Sequence, residues 1–170
     1  MSPALSTIAI LLALAAAPLD AQTRPPACTR AEHRQFDFWL GEWNVTLPNG
    51  RPAGVNHIQS IDGGCALREE WKGAGGGTGT SLNAFDAATG QWHQTWVGSD
   101  GMVLFLAGGL RDGAMELSGT TTGADGTKTL HRIRWTPLGG TPAAVRQLWE
   151  TSTDGGKTWA VAFDGRYVKR

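Results

Sequence analysis

The chain has 170 residues, in which 15 basic side chains balance 15 acidic ones, and only two cysteines. Scattered, near-neutral charge offers no basic face to nucleic acid and no polybasic surface to anionic lipid, so neither partner is expected. The length suits one domain with one sizeable core.

Residues 1–21 read as an export signal. The apolar run from Ile8 to Ala17 is too short to span a bilayer, and Ala21 supplies a small residue before Gln22. The stretch before that run has no Lys or Arg, so an uncleaved N-terminal anchor is the alternative. No later run is apolar enough to cross a membrane. The mature protein is expected in the periplasm or outside the cell. It divides into an arm with a short helix over 22–41 and a β-barrel over 42–170. In an oxidising compartment the pair Cys28 and Cys65 is most simply a disulfide, tying the arm to the second hairpin.

Within the arm, "CTRAEHRQFDFWL" is the one helix candidate. Thr29 stands at the N-cap and Glu32, three residues on, completes a capping box. Beyond Gly41, clusters drawn from 24 glycines punctuate short runs rich in Val, Thr, Trp and Leu, the texture of an all-β antiparallel barrel. Strands are expected near 42–48, 54–61, 65–72, 79–85, 91–97, 102–107, 114–119, 129–135, 144–150 and 158–168. "LPNGR" is an Asn-Gly hairpin signal, and "FDAATGQW" places Asp86 to bond nearby backbone N–H groups, with Gly90 at positive φ. "STDGGKTW", Ser152 to Trp159, resembles the Asp-box of sialidases and other β-propeller proteins, a turn-forming device. It occurs once, and no repeat at propeller spacing accompanies it.

"GEW" at Gly41–Trp43 resembles the Gly-x-Trp signature of lipocalins and other calycins, whose Trp plugs the closed end of the barrel. "FDFWLGEWNV", "GCALREEW", "GTGTSLNAFD", "QWHQTWV", "RIRWTP", "VRQLWE" and "STDGGKTW…FDGRY" resemble, in order, the motifs of the DUF1579 family. That resemblance spans almost the whole mature chain. It implies an exported, calycin/lipocalin-like barrel of about 8–10 strands, with Phe36, Phe38, Trp39 and Trp43 as plug and lid. It carries over no catalytic residue.

Period-two alternation assigns the lumen. A three-residue "DGG" loop at 62–64 would pair Ile61 with Cys65, Gln59 with Leu67, His57 with Glu69 and Val55 with Trp71, all on one face. A two-residue loop would instead gather Val55, Ile61, Arg68 and Lys72, a poorer separation of polar from apolar. The first register makes His57 and Glu69 buried cross-strand neighbours that could exchange a proton. The same parity turns Asn83 inward with Ser81 and Phe85, and Gln94 with Trp92 and Trp96. It turns His131 inward with Ile133 and Trp135, and Gln147 with Val145 and Trp149.

The four histidines, His33, His57, His93 and His131, show no metal-ligand spacing, so no metal site is expected. Nor is any other cofactor. Haem, held by one histidine in nitrobindin-like barrels of similar architecture, is the alternative, without a matching motif here. "GAGGGTG", Gly73–Gly79, misses dinucleotide spacing and leads into a strand. Neither a Gly-x-Ser-x-Gly elbow nor a Ser-x-x-Lys pair occurs.

The expected function is to bind a small aromatic or amphipathic organic compound in the lumen. The candidate walls are Trp43, Trp71, Trp96 and Trp149, and the candidate polar contacts are His57, Glu69, Asn83, Gln94, His131 and Gln147. The alternative is a calycin-like enzyme of isomerase, lyase or hydratase type, with His57 and Glu69 as catalytic acid and base. A third reading is a structural module whose lumen is filled.

Overall fold

The computed structural model describes residues 28–141 and 143–170. The expected export signal and the first residues of the arm lie outside them. Ten antiparallel strands follow one another round a closed barrel: β1 (Gly41–Thr46), β2 (Pro52–Ile61), β3 (Ala66–Gly73), β4 (Thr78–Asp86), β5 (Gln91–Gly98), β6 (Val103–Arg111), β7 (Ala114–Thr122), β8 (Lys128–Gly139), β9 (Ala144–Ser152) and β10 (Ala160–Lys169). Pairing of β1 with β10, from Trp43 with Lys169 to Thr46 with Arg166, closes the ring and leaves no free edge. This is the all-β antiparallel barrel expected from the strand spacing, and it is consistent with the calycin-like architecture that the resemblance implies.

The turn chemistry is as the residues dictate. Asp86 accepts from Ala88 N at 2.8 Å and from the Thr89 hydroxyl at 2.9 Å, and Gly90 has φ 70°. In the Ser152–Trp159 turn, Asp154 accepts from Ser152 Oγ, Thr158 N and Thr158 Oγ1 at 2.6–3.0 Å. These donors hold its carboxyl well below the usual range, the Thr158 hydroxyl first. Trp159 Nε1 donates to Gly156 O, and the Arg132 guanidinium lies 4.1 Å from the Trp159 ring centroid. The motif is a hairpin turn between β9 and β10.

The segment before β1 is not one capped α-helix. It forms two 3₁₀ turns, Ala31–Arg34 and Asp37–Trp39. Arg30, not Thr29, holds the cap position of the first, and no side chain bonds there. The apolar spacing explains the choice: His33, Phe36 and Trp39 recur every third residue and all are buried. Three residues per turn, rather than 3.6, brings such positions onto one face. Phe36 stacks on Trp39 at 4.9 Å, and both pack against Trp135. Trp43 Nε1 donates to Trp39 O at 2.9 Å, and Trp92 Nε1 to Gln35 Oε1 at 3.2 Å. Together they plug the end of the barrel where β1 begins.

The β2–β3 turn departs from the expected register. Cys65 is bonded to Cys28 and belongs to the turn, so the loop takes four residues, 62–65. Asp62, Gly63 and Gly64 all have positive φ, and Arg34 donates to Gly64 O. Ile61 therefore pairs with Ala66, Gln59 with Arg68 and His57 with Glu70. A slip of one residue moves a whole strand to the other face. On β2 the inward residues are Asn56 and Ile58, while His57 points outward. The tethered Cys65, absent from any periodicity argument, is the fourth residue of the turn that joins the two strands in this register.

Charge is confined largely to the outer wall. Arg132 meets Glu150, Arg134 meets Glu116 and Arg146 meets Asp164, each bridging adjacent strands at 2.7–2.8 Å. Outside β2–β3, Glu70 lies 3.2 Å from Arg68 and 3.8 Å from His57. Among the described residues no helix is long and apolar enough to cross a membrane.

Candidate functional site

Glu69 lies midway along β3 and projects into the lumen. Its side chain is buried, in a carboxylate whose two oxygens each accept one hydrogen bond: from Asn56 Nδ2 at 2.7 Å and from Ser81 Oγ at 2.6 Å. Asn83 Nδ2 donates to Ser81 Oγ at 2.9 Å, and Gln94 Nε2 donates to Asn83 Oδ1 at 2.7 Å. The chain Gln94, Asn83, Ser81 thus passes its hydrogens one way, ending on Glu69. Parity along β3, β4 and β5 produces it, because inward residues on neighbouring strands stand side by side.

Burial raises the Glu69 pKa from 4.5 to about 7, with the bonds from Ser81 and Asn56 opposing the shift. Tyr167, on β10, donates its hydroxyl to Gln147 Oε1. Its own pKa is pushed well up, first by burial and then by the charge of Glu69.

Above this polar floor is a cavity of about 180 Å³, lined by Glu69, Gln94, Gln147 and Tyr167 together with Leu104, Ile133, Trp135 and Ala162, and by the rings of Trp71, Trp96, Trp149 and Phe163. Those last four are half-buried and sit toward the barrel end opposite the plug, forming its mouth. An apolar cavity of ~150 Å³ holds a benzene molecule, so this volume matches one ring with a short substituent. Two close approaches seat the walls. The Trp96 ring lies across Gly79, where a Cβ would come within 2.2 Å of it, and the Trp71 ring lies across Gly54, where a Cβ would come within 2.8 Å.

His131 stands behind the wall. Trp149 Nε1 donates to its Nδ1 at 3.2 Å, which makes Nε2 the protonated nitrogen, 2.8 Å from Thr121 Oγ1. Desolvation lowers its pKa. The histidine is a neutral post that holds Trp149 at the mouth.

Of the candidate residues, the structure brings Glu69, Trp71, Gln94, Trp96, Gln147 and Trp149 together around the cavity. Asn83 supports it through Gln94 and Ser81, and His131 through Trp149. Trp43 lies in the plug. His57 is outside the barrel, so the expected His57–Glu69 acid–base pair does not form. Trp135, Leu104, Ala162, Phe163 and Tyr167 also line the cavity, and Asn56 bonds its floor. Alternation over "FDGRY" carries a signal for Phe163 and Tyr167. Asn56 has none, since it stands on the face that the wrong register turns outward.

No described histidine lines the cavity. His131 has both nitrogens engaged, His33 packs edge-on against Phe85, and His57 and His93 pair with Glu70 and Asp86 outside the wall. Among the described residues no three His, Cys, Asp or Glu side chains converge as a metal site.

No protein-family model matches this chain, and no curated protein does. The fold and the site define a closed, antiparallel ten-stranded barrel with a plugged end, an aromatic mouth and a polar floor centred on Glu69.

Proposed function

We propose that this is an exported binding protein that takes a small, ring-bearing organic molecule into its lumen. The single observation that carries the reading is the cavity itself. It has room for one ring, walls of Trp and Phe to sandwich that ring, and a few convergent polar groups at its base to orient it. A filled structural barrel would leave no such space. Export is supported by the Cys28–Cys65 disulfide, a bond that persists in oxidising compartments. The likeness to the DUF1579 motifs points the same way.

The test uses three monocyclic probes of matched shape and different charge: benzylammonium, benzyl alcohol and benzoate. Titration calorimetry should find one-to-one binding of at least one of them, abolished by Ala162→Trp, which fills the mouth. Failure of all three, or binding that survives the filled mouth, overturns the reading.

A second reading, an enzyme, draws on one observation: a carboxyl poised near pH 7 suits a general base. With His57 outside, it would rest on Glu69 alone. It requires chemical turnover of a bound ligand, lost in Glu69→Gln while binding of a neutral ligand persists.

A further inference from the structure

Glu69 is the acid among the described residues that line the cavity, and none of those residues is basic. None of the ion pairs among the described residues includes it. The groups that face it are Asn56 from β2, Ser81 and Asn83 from β4, Gln94 from β5 and Tyr167 from β10. Of these only Tyr167 titrates, and its pKa is raised well above neutrality. A buried carboxylate without a counter-charge is costly, and barrels of mixed polarity have a cheaper residue in Gln. Yet the surrounding hydrogens are arranged for an anion. Asn56 Nδ2 and Ser81 Oγ both donate to Glu69, and Asn83 and Gln94 feed the same direction. A carboxylate has about four acceptor positions, of which two are taken, leaving two for a donor that arrives from the cavity. Above it stand Trp71, Trp96 and Trp149, ring faces of the kind that attract cations as well as apolar rings.

We propose that the lumen is a site for a small organic cation, a protonated amine carried on a single ring, with its ammonium on Glu69 and its ring among Trp71, Trp96 and Trp149. This rests on the lumen-binding reading and narrows its ligand class. An anionic ligand would set a second negative charge against Glu69. A neutral alcohol would leave the carboxylate uncompensated. An ammonium removes the cost of the buried charge and supplies the donors its free positions need.

Amine binding is coupled to the proton on Glu69. The cation binds the ionised form, so affinity rises with pH through the range in which Glu69 deprotonates, while an alkylammonium keeps its own proton throughout. His131 does not share this window, since burial lowers its pKa and both its nitrogens are bonded.

The experiment is titration of the folded, oxidised protein with the same three probes, at about pH 5.5 and about pH 8. Benzylammonium is expected to bind about tenfold or more tighter than benzyl alcohol at the higher pH, with benzoate weakest. Its affinity should fall by roughly the same factor at the lower pH, while that of benzyl alcohol stays within about threefold. Glu69→Gln should bring benzylammonium down to the level of the alcohol and erase the pH dependence. Equal affinity for alcohol and ammonium, a preference for benzoate, or an unchanged cation affinity in Glu69→Gln overturns the proposal while lumen binding stands. Failure of every probe overturns both. Should the variant not fold, the probe ranking and pH profile of the native protein decide alone.

Discussion

Glu69 and His131 are ionisable side chains on the inner face whose shifted titrations bear on stability, and they act in opposite senses. Glu69 titrates near 4.5 unfolded and near 7 folded. Between those values the folded chain holds more protons than the unfolded one, so stability falls as pH rises through the window, by about 3 kcal/mol in all. His131 has a folded pKa below 6.5 because burial disfavours imidazolium. Its contribution is present above that value and is lost as pH drops below it. The exposed turn carboxylates of Asp86, Asp125 and Asp154, whose pKa values are lowered, act on the acid side of 3.8 and leave this window clear. Urea unfolding across pH should therefore show the native protein losing stability relative to Glu69→Gln as pH rises from about 4.5 to about 7, with no further loss from this group above that. Glu69→Gln itself should show only the decline toward acid. The substitution can be accommodated: Asn56 Oδ1 is buried without a partner, and turning that amide offers it to the new Gln N–H. Parallel pH profiles for the two proteins would show that Glu69 is not the group responsible.

At the scale of strands, the mouth depends on glycines that let one strand's aromatic ring lie on its neighbour. Gly79 adopts ordinary extended backbone, so alanine there is excluded only by the Trp96 ring 2.2 Å from its Cβ. Gly79→Ala should displace Trp96, lower stability by about 1–3 kcal/mol as overpacking does, and weaken whatever binds in the cavity. Gly109→Ala, with nothing within 4 Å of its Cβ, is the control and should leave both quantities unchanged. Thermal unfolding and probe titration check the pair, and equal behaviour of the two variants would remove Gly79 from the site. Strand positions and most turns were legible in the sequence because Gly, Asn and Asp mark turns by their own backbone chemistry. Inward facing was legible where polar and apolar residues alternate, as at Ser81–Asn83–Phe85 and Trp92–Gln94–Trp96. It was not legible in "VLFL", where Leu104 turns in and Phe105 is 69% exposed, since four apolar residues carry no period. On β10 a bulge at Ala162 places Val161 opposite Glu150 and Phe163 opposite Trp149, breaking parity just at the mouth. On β2 the four-residue turn ending at Cys65 fixes a register that the pattern could not.

The whole molecule separates what holds it together from what it binds. The Cys28–Cys65 bond, the Arg34 contact with Gly64 and the Phe36–Trp39 stack all lie at the plugged end. The cavity opens at the other, with Glu69 between. Cysteines 37 positions apart close a loop whose cross-link restrains the unfolded chain by about 4 kcal/mol. Replacing both by serine should therefore lower the midpoint of thermal unfolding by on the order of 12 °C, at roughly 3 °C per kcal/mol for a domain of this size. The aromatic plug should still seat, because its indole donors reach Trp39 O and Gln35 without the sulfurs. Well below the lowered midpoint, probe affinity in the double variant should then stay within about threefold of native, a change under 1 kcal/mol. A collapse of affinity at a temperature where the variant remains folded would mean that the tether also sets the cavity. The route would be the β2 register, because a strand freed at Cys65 could slip by one residue and replace Asn56 with His57 beside Glu69. Calorimetric titration and thermal unfolding of the one variant distinguish a tether that only stabilises from one that also places the binding groups.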